Sequence, residues 1–169
     1  MIKSFSLSVF ILLVAALLES AILSNIAILP AIPDLSLICV LYFSLHNGKL
    51  IGESTGFVSG LFLDFLSGAP FGLNCLLRTL IGYIGGLFSR TVNSDGFFIA
   101  ILLGILGTIS KGLILFVLSF LFPAGVIRYN LFSWFFLFQL CANAILTPFV
   151  FKFLSIFNKT LILQVEAAS

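Results

Sequence analysis

Apolar runs of roughly helix-spanning length, separated by short breaks of Pro, Gly and polar residues, constrain this chain more than any other feature. A helix needs about 20 predominantly apolar residues to cross the hydrocarbon core of a bilayer. Read at that length, the sequence divides into six segments, at about residues 5–29, 34–45, 50–66, 71–89, 97–122 and 130–157. The breaks are Pro30-Ala31-Ile32-Pro33-Asp34, His46-Asn47-Gly48-Lys49, Ser67-Gly68-Ala69-Pro70, the polar stretch from Arg90 to Gly96, and the stretch beginning at Pro123. Asp34 is placed to cap the second segment, which is the shortest. Pro148 is expected to kink the sixth. The first segment begins like a secretory signal, with Lys3 before an apolar run, but the run is too long and has no small-residue cleavage site, so it reads as a retained helix. The expected architecture is one all-α polytopic membrane domain over residues 1–169, with six transmembrane helices in a single bundle.

Composition excludes the soluble alternatives. Hydrophobic residues make up 61% of the 169 positions and charged residues 8%, against about 25% charged in an ordinary soluble domain. A soluble fold of this size could not hide so much apolar surface. A soluble enzyme, a nucleic-acid binder and a disordered chain are thereby excluded, and the net charge of +2 offers little to an anionic polymer. Cys39, Cys75 and Cys141 lie inside apolar runs without metal-ligand spacing, and His46 stands in a polar turn without a second ligand. No metal or other cofactor is expected.

The basic residues give an orientation. With six spans, Lys3, Lys49, Arg90, Lys152 and Lys159 fall on one side and only Arg128 on the other, so both termini are expected in the cytoplasm. Tyr129 and Trp134 then fall near the outer interface.

The third segment carries a stripe of small and acidic residues. Gly52, Gly56, Gly60 and Asp64 recur every four residues, and Glu53 and Ser67 lie in the same sector, whereas Val58, Phe62 and Phe65 lie opposite. In lipid, small residues let helix backbones approach closely. Such a stripe is either a packing face within the bundle or a face that also contacts a partner protein. Other segments repeat the theme, with Asn74, Arg78, Gly82, Gly85 and Ser89 on the fourth, and Gly104, Gly107, Thr108 and Lys111 on the fifth. Gln139, Asn143 and Thr147 stand a turn apart on the sixth, and Ser8, Ala15, Ala16 and Glu19 line the first.

Four charges lie deep in the segments: Glu19, Asp64, Arg78 and Lys111. Intramembrane charges normally face the bundle interior and find partners. Counted along each segment at about 1.5 Å per residue, all four reach a similar depth in the outer half. The expectation is a neutral buried cluster in which Asp64 and Glu19 pair with Arg78 and Lys111. Snorkelling, or pairing with a partner subunit's charge, is the alternative. Glu53 is expected near the inner edge, in contact with water. No nucleophile–base arrangement or metalloprotease pattern occurs, so no catalytic residue is assigned and an enzyme is not expected.

The stretch from Pro33 to Gly86 resembles the rod shape-determining protein MreD family. The resemblance is carried by Pro33-Asp34 at the start of the second segment and by Gly56-Phe57-x-x-Gly60-x-x-x-Asp64 in the third. Ser67-Gly68, Gly72 and Asn74 follow, with Gly82-Tyr83 in the next segment. Glu19 and Lys111 belong to no part of that pattern. The resemblance implies a non-enzymatic inner-membrane component of the bacterial cell-elongation machinery. Its implied partners are MreC, RodA with its transpeptidase and, indirectly, MreB, and Gly52, Gly56, Gly60 and Gly82 are a candidate face for a partner's membrane helix. It also implies a fold similar to the substrate-binding subunits of energy-coupling-factor transporters. Ala16-x-x-x-Ser20 is faintly similar to the coupling motif of those subunits. A vitamin-type small-molecule binding subunit is therefore the rival expectation. A site for a lipid-linked precursor is disfavoured, because no basic cluster lies on the outer side.

Overall fold

The computed structural model describes residues 2–23, 30–68, 70–89, 91, 96–122, 130 and 132–161, and only the backbone of residues 2–4, 159 and 160. Lys3, Arg90, Arg128, Lys159 and Tyr129, on which the orientation expectation partly rests, fall outside the residues described with side chains. All regular structure among the described residues is helical: α1 (Ile2–Leu17), α2 (Leu35–Asn47), α3 (Lys49–Ser67), α4 (Leu73–Leu87), α5 (Phe97–Leu121), α6 (Trp134–Ser155) and a short α7 (Asn158–Leu161). The chain leaves α1 through a wide π-helical turn, Leu18–Ile22, which carries Glu19.

By length and apolarity, three stretches can cross a membrane: Phe5–Ile22, Phe97–Leu121 and Trp134–Ser155. Helices α2 and α4 are apolar but shorter. With 13 residues, α2 rises only about 20 Å, less than the ~30 Å hydrocarbon core. Its residues from Ser36 to Leu45 are all buried, so α2 is the axis on which the other helices pack. Leu37, Ile38, Val40, Tyr42 and Phe43 form the centre of the core. The large rings on the outside, such as Phe10, Phe98, Phe149 and Phe153, stand exposed, as expected of side chains that meet lipid.

Two helix pairs are built on small residues. Gly48, at φ 83°, makes the single-residue turn between α2 and α3. Helices α3 and α4 then run back against each other at backbone contact. A Cβ on Gly52 would lie 2.3 Å from the Gly82 carbonyl oxygen, one on Gly56 2.2 Å from the Arg78 carbonyl oxygen, and one on Gly60 2.4 Å from the Cys75 Cα. Between α5 and α6, a Cβ on Gly104 would lie 2.2 Å from Thr147 Oγ1. Helix α6 continues through Pro148, and the Thr147 hydroxyl donates to the Asn143 carbonyl at 2.6 Å.

The glycine stripe of α3 is therefore filled by α4 of the same chain. Gly52, Gly56, Gly60 and Gly82 are buried, which corrects the expectation that this face could also receive a partner. The physical reason is local. A tight turn between consecutive helices delivers α4 to that face before any separate chain can reach it, and only glycine permits so close an approach.

Candidate functional site

The polar centre of the molecule is Asp34, the residue before α2. Its Oδ1 accepts from the Leu37 backbone N–H at 2.9 Å, the N-cap interaction that satisfies a donor of the first turn. The same carboxylate is gripped by two cations. Arg78 Nη2 donates to Oδ1 at 2.6 Å and Lys111 Nζ to Oδ2 at 2.5 Å. The side chains of Arg78 and Asp34 are 2% and 1% exposed, that of Lys111 16%.

Around this triad the network spreads to every long helix. Arg78 Nη1, on α4, donates to Ser59 Oγ on α3 at 3.2 Å. The Asp34 backbone N–H donates to Asn143 Oδ1 on α6 at 2.8 Å, and Asn143 Nδ2 donates to Thr108 Oγ1 on α5 at 3.0 Å. Glu19, in the π-helical turn after α1, stands 3.9 Å from Arg78 Nη2 and accepts from Ser36 Oγ at 2.6 Å. Gln139 on α6 donates to the Ile32 carbonyl at 3.0 Å, fastening the segment that leads into Asp34. The centre brings together two acids and two bases, which balance in number. Within a low-dielectric interior such charges are tolerated only when paired and hydrogen-bonded. One guanidinium donor, Arg78 Nε, has no partner among the described residues.

Of the four residues expected to cluster, Glu19, Arg78 and Lys111 do meet, but around Asp34 and not Asp64. Asp64 accepts instead from the backbone N–H groups of Gly72 at 2.9 Å, Asn74 at 3.0 Å and Cys75 at 3.3 Å, and from Asn74 Nδ2 at 3.0 Å. The expected pairing of Asp64 with Arg78 or Lys111 is corrected accordingly. Helix α4 starts at Gly72 with no side-chain cap of its own. A carboxylate near the end of α3 satisfies its free donors and sits at the positive end of its dipole.

The motif Gly56, Phe57, Gly60, Asp64, Gly68, Gly72 and Asn74 thus becomes a folding device for the α3–α4 hairpin. Gly56 and Gly60 admit the neighbouring backbone, Gly68 and Gly72 adopt φ of 65° and 90° at the turn, and Asp64 with Asn74 fastens it. Phe57 points outward, half exposed. Asp34 belongs to the central network, and Pro33 is buried beside it.

Asp34 escapes the depth argument because, as the cap of the second segment, it stands at the very edge of its counted span. The signal was present in the brevity of the second segment. A helix too short to cross the slab must start inside it, and its capping acid is then at membrane depth.

Among the described residues, no three His, Cys, Asp or Glu side chains lie close enough to hold a metal ion. His46 bonds through Nδ1 with the Tyr42 carbonyl at 2.8 Å and stacks on the Tyr42 ring at 4.1 Å. Glu53 is half-buried near the start of α3. Cys39 and Cys75 are buried and Cys141 exposed.

Apolar outer faces, membrane-length helices and a largely buried ion network define an all-α membrane protein whose polar core ties its helices together. The family model of rod shape-determining protein MreD matches residues 1–157 of the chain. The chain belongs to that family. No curated protein and no solved structure matches it.

Proposed function

We propose that the protein is a non-enzymatic, multi-pass scaffold of the bacterial inner membrane that helps set rod shape by docking membrane helices of cell-wall synthesis partners. MreC is the first such partner, with RodA and its transpeptidase, and MreB indirectly, in the same assembly. The observation that carries this reading is family membership over nearly the whole chain. The geometry supports it, because the ionisable residues at the centre are each engaged in holding helices. Five basic residues against one favour cytoplasmic termini, and the bundle is expected to be similar in architecture to the substrate-binding subunits named above. The Asp34 network acts as a structural tie that gives the scaffold one fixed outer surface.

Depletion in a rod-shaped host is the test. Cells losing the protein should widen and round within a few generations, and MreC should co-purify with the tagged wild-type chain from native membranes. Depleted cells that keep normal width and length would overturn the reading.

A further inference from the structure

The helices that face lipid differ in length. On one flank, α5 and α6 have 25 and 22 residues, about 37 and 33 Å of rise. Both expose apolar side chains along their length, such as Phe98, Leu106 and Phe120 on α5 and Ile145 and Phe153 on α6. These helices exceed the ~30 Å hydrocarbon core, and a long helix is accommodated by tilting.

The α3–α4 hairpin is the opposite case. Helix α4 has 15 residues, about 22 Å of rise, and its side chains Leu76, Leu80 and Leu87 are exposed. Polar groups bound the hairpin at both ends. At one end Ser67, Gly68, Pro70 and Gly72 are exposed in the turn. Irregular backbone facing lipid is not tolerated in hydrocarbon, because its N–H and C=O groups go unsatisfied there. At the other end, one turn into α3, stands the half-buried Glu53, which has no ion-pair partner among the described residues. An unpaired carboxylate is costly inside the membrane. From Glu53 to Ser67 the rise is only about 21 Å. Backbone contact at Gly52, Gly56 and Gly60 fixes α3 and α4 in register, so the hairpin cannot slide to lengthen this band.

A short apolar band is relieved by thinning of the bilayer, by snorkelling of flanking residues or by association. Snorkelling is closed to the turn, since Ser67-Gly68-Ala69-Pro70-Phe71-Gly72 contains no Lys or Arg. A second copy serves poorly, because its outer faces present exposed Leu and Phe side chains that offer the turn's backbone no hydrogen-bond partner. We infer that the α3–α4 face binds a locally thinned bilayer, with the lipid surface drawn in to the Ser67–Gly72 turn, so that the apolar belt of the protein is thin along α3–α4 and thick along α5–α6. This inference rests on the multi-pass reading, in which α3 and α4 lie across the membrane.

The test reads lipid preference face by face. Trp134 is the only tryptophan in the chain, so a Trp134→Phe background accepts single reporters: Leu80→Trp on α4, Phe57→Trp on α3 and Ile145→Trp on α6, all exposed positions. The full-length proteins are reconstituted in mixtures containing brominated phosphatidylcholine of short (dimyristoleoyl) or long (dierucoyl) chains, and relative lipid binding is read from fluorescence quenching. At Leu80→Trp and Phe57→Trp the short-chain lipid should be preferred by at least about threefold, given a shortfall of about 9 Å against the core. At Ile145→Trp that preference should be absent or reversed. Adding Glu53→Leu, which removes one polar boundary, should move the preference at Leu80→Trp toward longer chains. Thermal unfolding in detergent checks each variant, and Phe57→Trp serves alone should Leu80→Trp fail to fold. The same chain-length preference on both flanks, a long-chain preference at the hairpin, or hairpin reporters that no lipid quenches while Ile145→Trp is quenched (another copy or protein then covering the face) would each overturn the inference and leave the multi-pass reading standing. Quenching at none of the positions would overturn both.

Discussion

Asp34 is the residue on which the interior depends. One carboxylate accepts from Arg78 and Lys111 and also caps α2. Removing one member of a buried ion pair is strongly destabilising, because the remaining charge is left uncompensated; about 3–5 kcal/mol is typical. Asp34→Asn leaves two cations with only Glu19, 3.9 Å from Arg78, to balance them. We expect a loss of that size in stability in detergent, measured by denaturant titration. Glu19→Gln keeps an acceptor for Ser36 and removes only a distant pair whose acid is 12% exposed, so it should lose no more than about 1.5 kcal/mol, the range of one net hydrogen bond. Equal losses in the two variants would refute the central place given to Asp34. At this scale the sequence was partly legible. Charge and depth identified Glu19, Arg78 and Lys111 as interior residues, but choosing between Asp34 and Asp64 required the positions of the helix ends, which depth arithmetic along separate helices does not supply.

At the scale of the element, the α3–α4 hairpin is the unit most fully written in its own residues. Small residues at four-residue spacing, a turn with two positive-φ glycines and an acid reaching the next helix's free donors all act within one continuous stretch. The stripe was therefore visible in the sequence, along with its polarity and its expected role in close packing. Its partner was not, because periodicity shows that a face is small and not what lies against it. Gly56→Ala places a Cβ 2.2 Å from the Arg78 carbonyl oxygen, with the Arg78 carbonyl carbon 2.7 Å away. Both are backbone atoms that cannot rotate aside, so the helices must separate. We expect a loss of at least about 1–3 kcal/mol, the usual range for overpacking, measured by unfolding in detergent. Phe57→Ala on the outward face of the same helix should change stability far less in that assay, since its ring meets no filled interior. The reverse order would mean that α3 packs through its other face.

At the scale of the whole molecule, five long helices surround α2, and they do so through one polar network and one apolar core. That arrangement sorts the three cysteines. Cys39 on α2 and Cys75 on α4 are buried, whereas Cys141 on α6 is exposed. A membrane-permeant maleimide applied to the folded protein in mild detergent should modify one thiol, Cys141, and unfolding in SDS should release all three, counted by intact mass. Rapid modification of Cys39 before unfolding would show that α2 is not central. The outer rings that remain form the surface that the scaffold reading offers to other membrane helices.

The sequence by itself determined the medium, the helical class and the interior status of its deep charges. These follow from composition and period, which act on each stretch independently of where the rest of the chain goes. It also carried the turn glycines and the Asp34 cap of α2, whose partners lie nearby along the chain. Only the tertiary structure decided that Asp34 holds both cations and that Glu19, Ser59 and Asn143 gather around it. Those outcomes depend on distances between side chains far apart in sequence, such as Asp34 and Lys111. Such distances are set by how six helices pack at once, and no single segment encodes them.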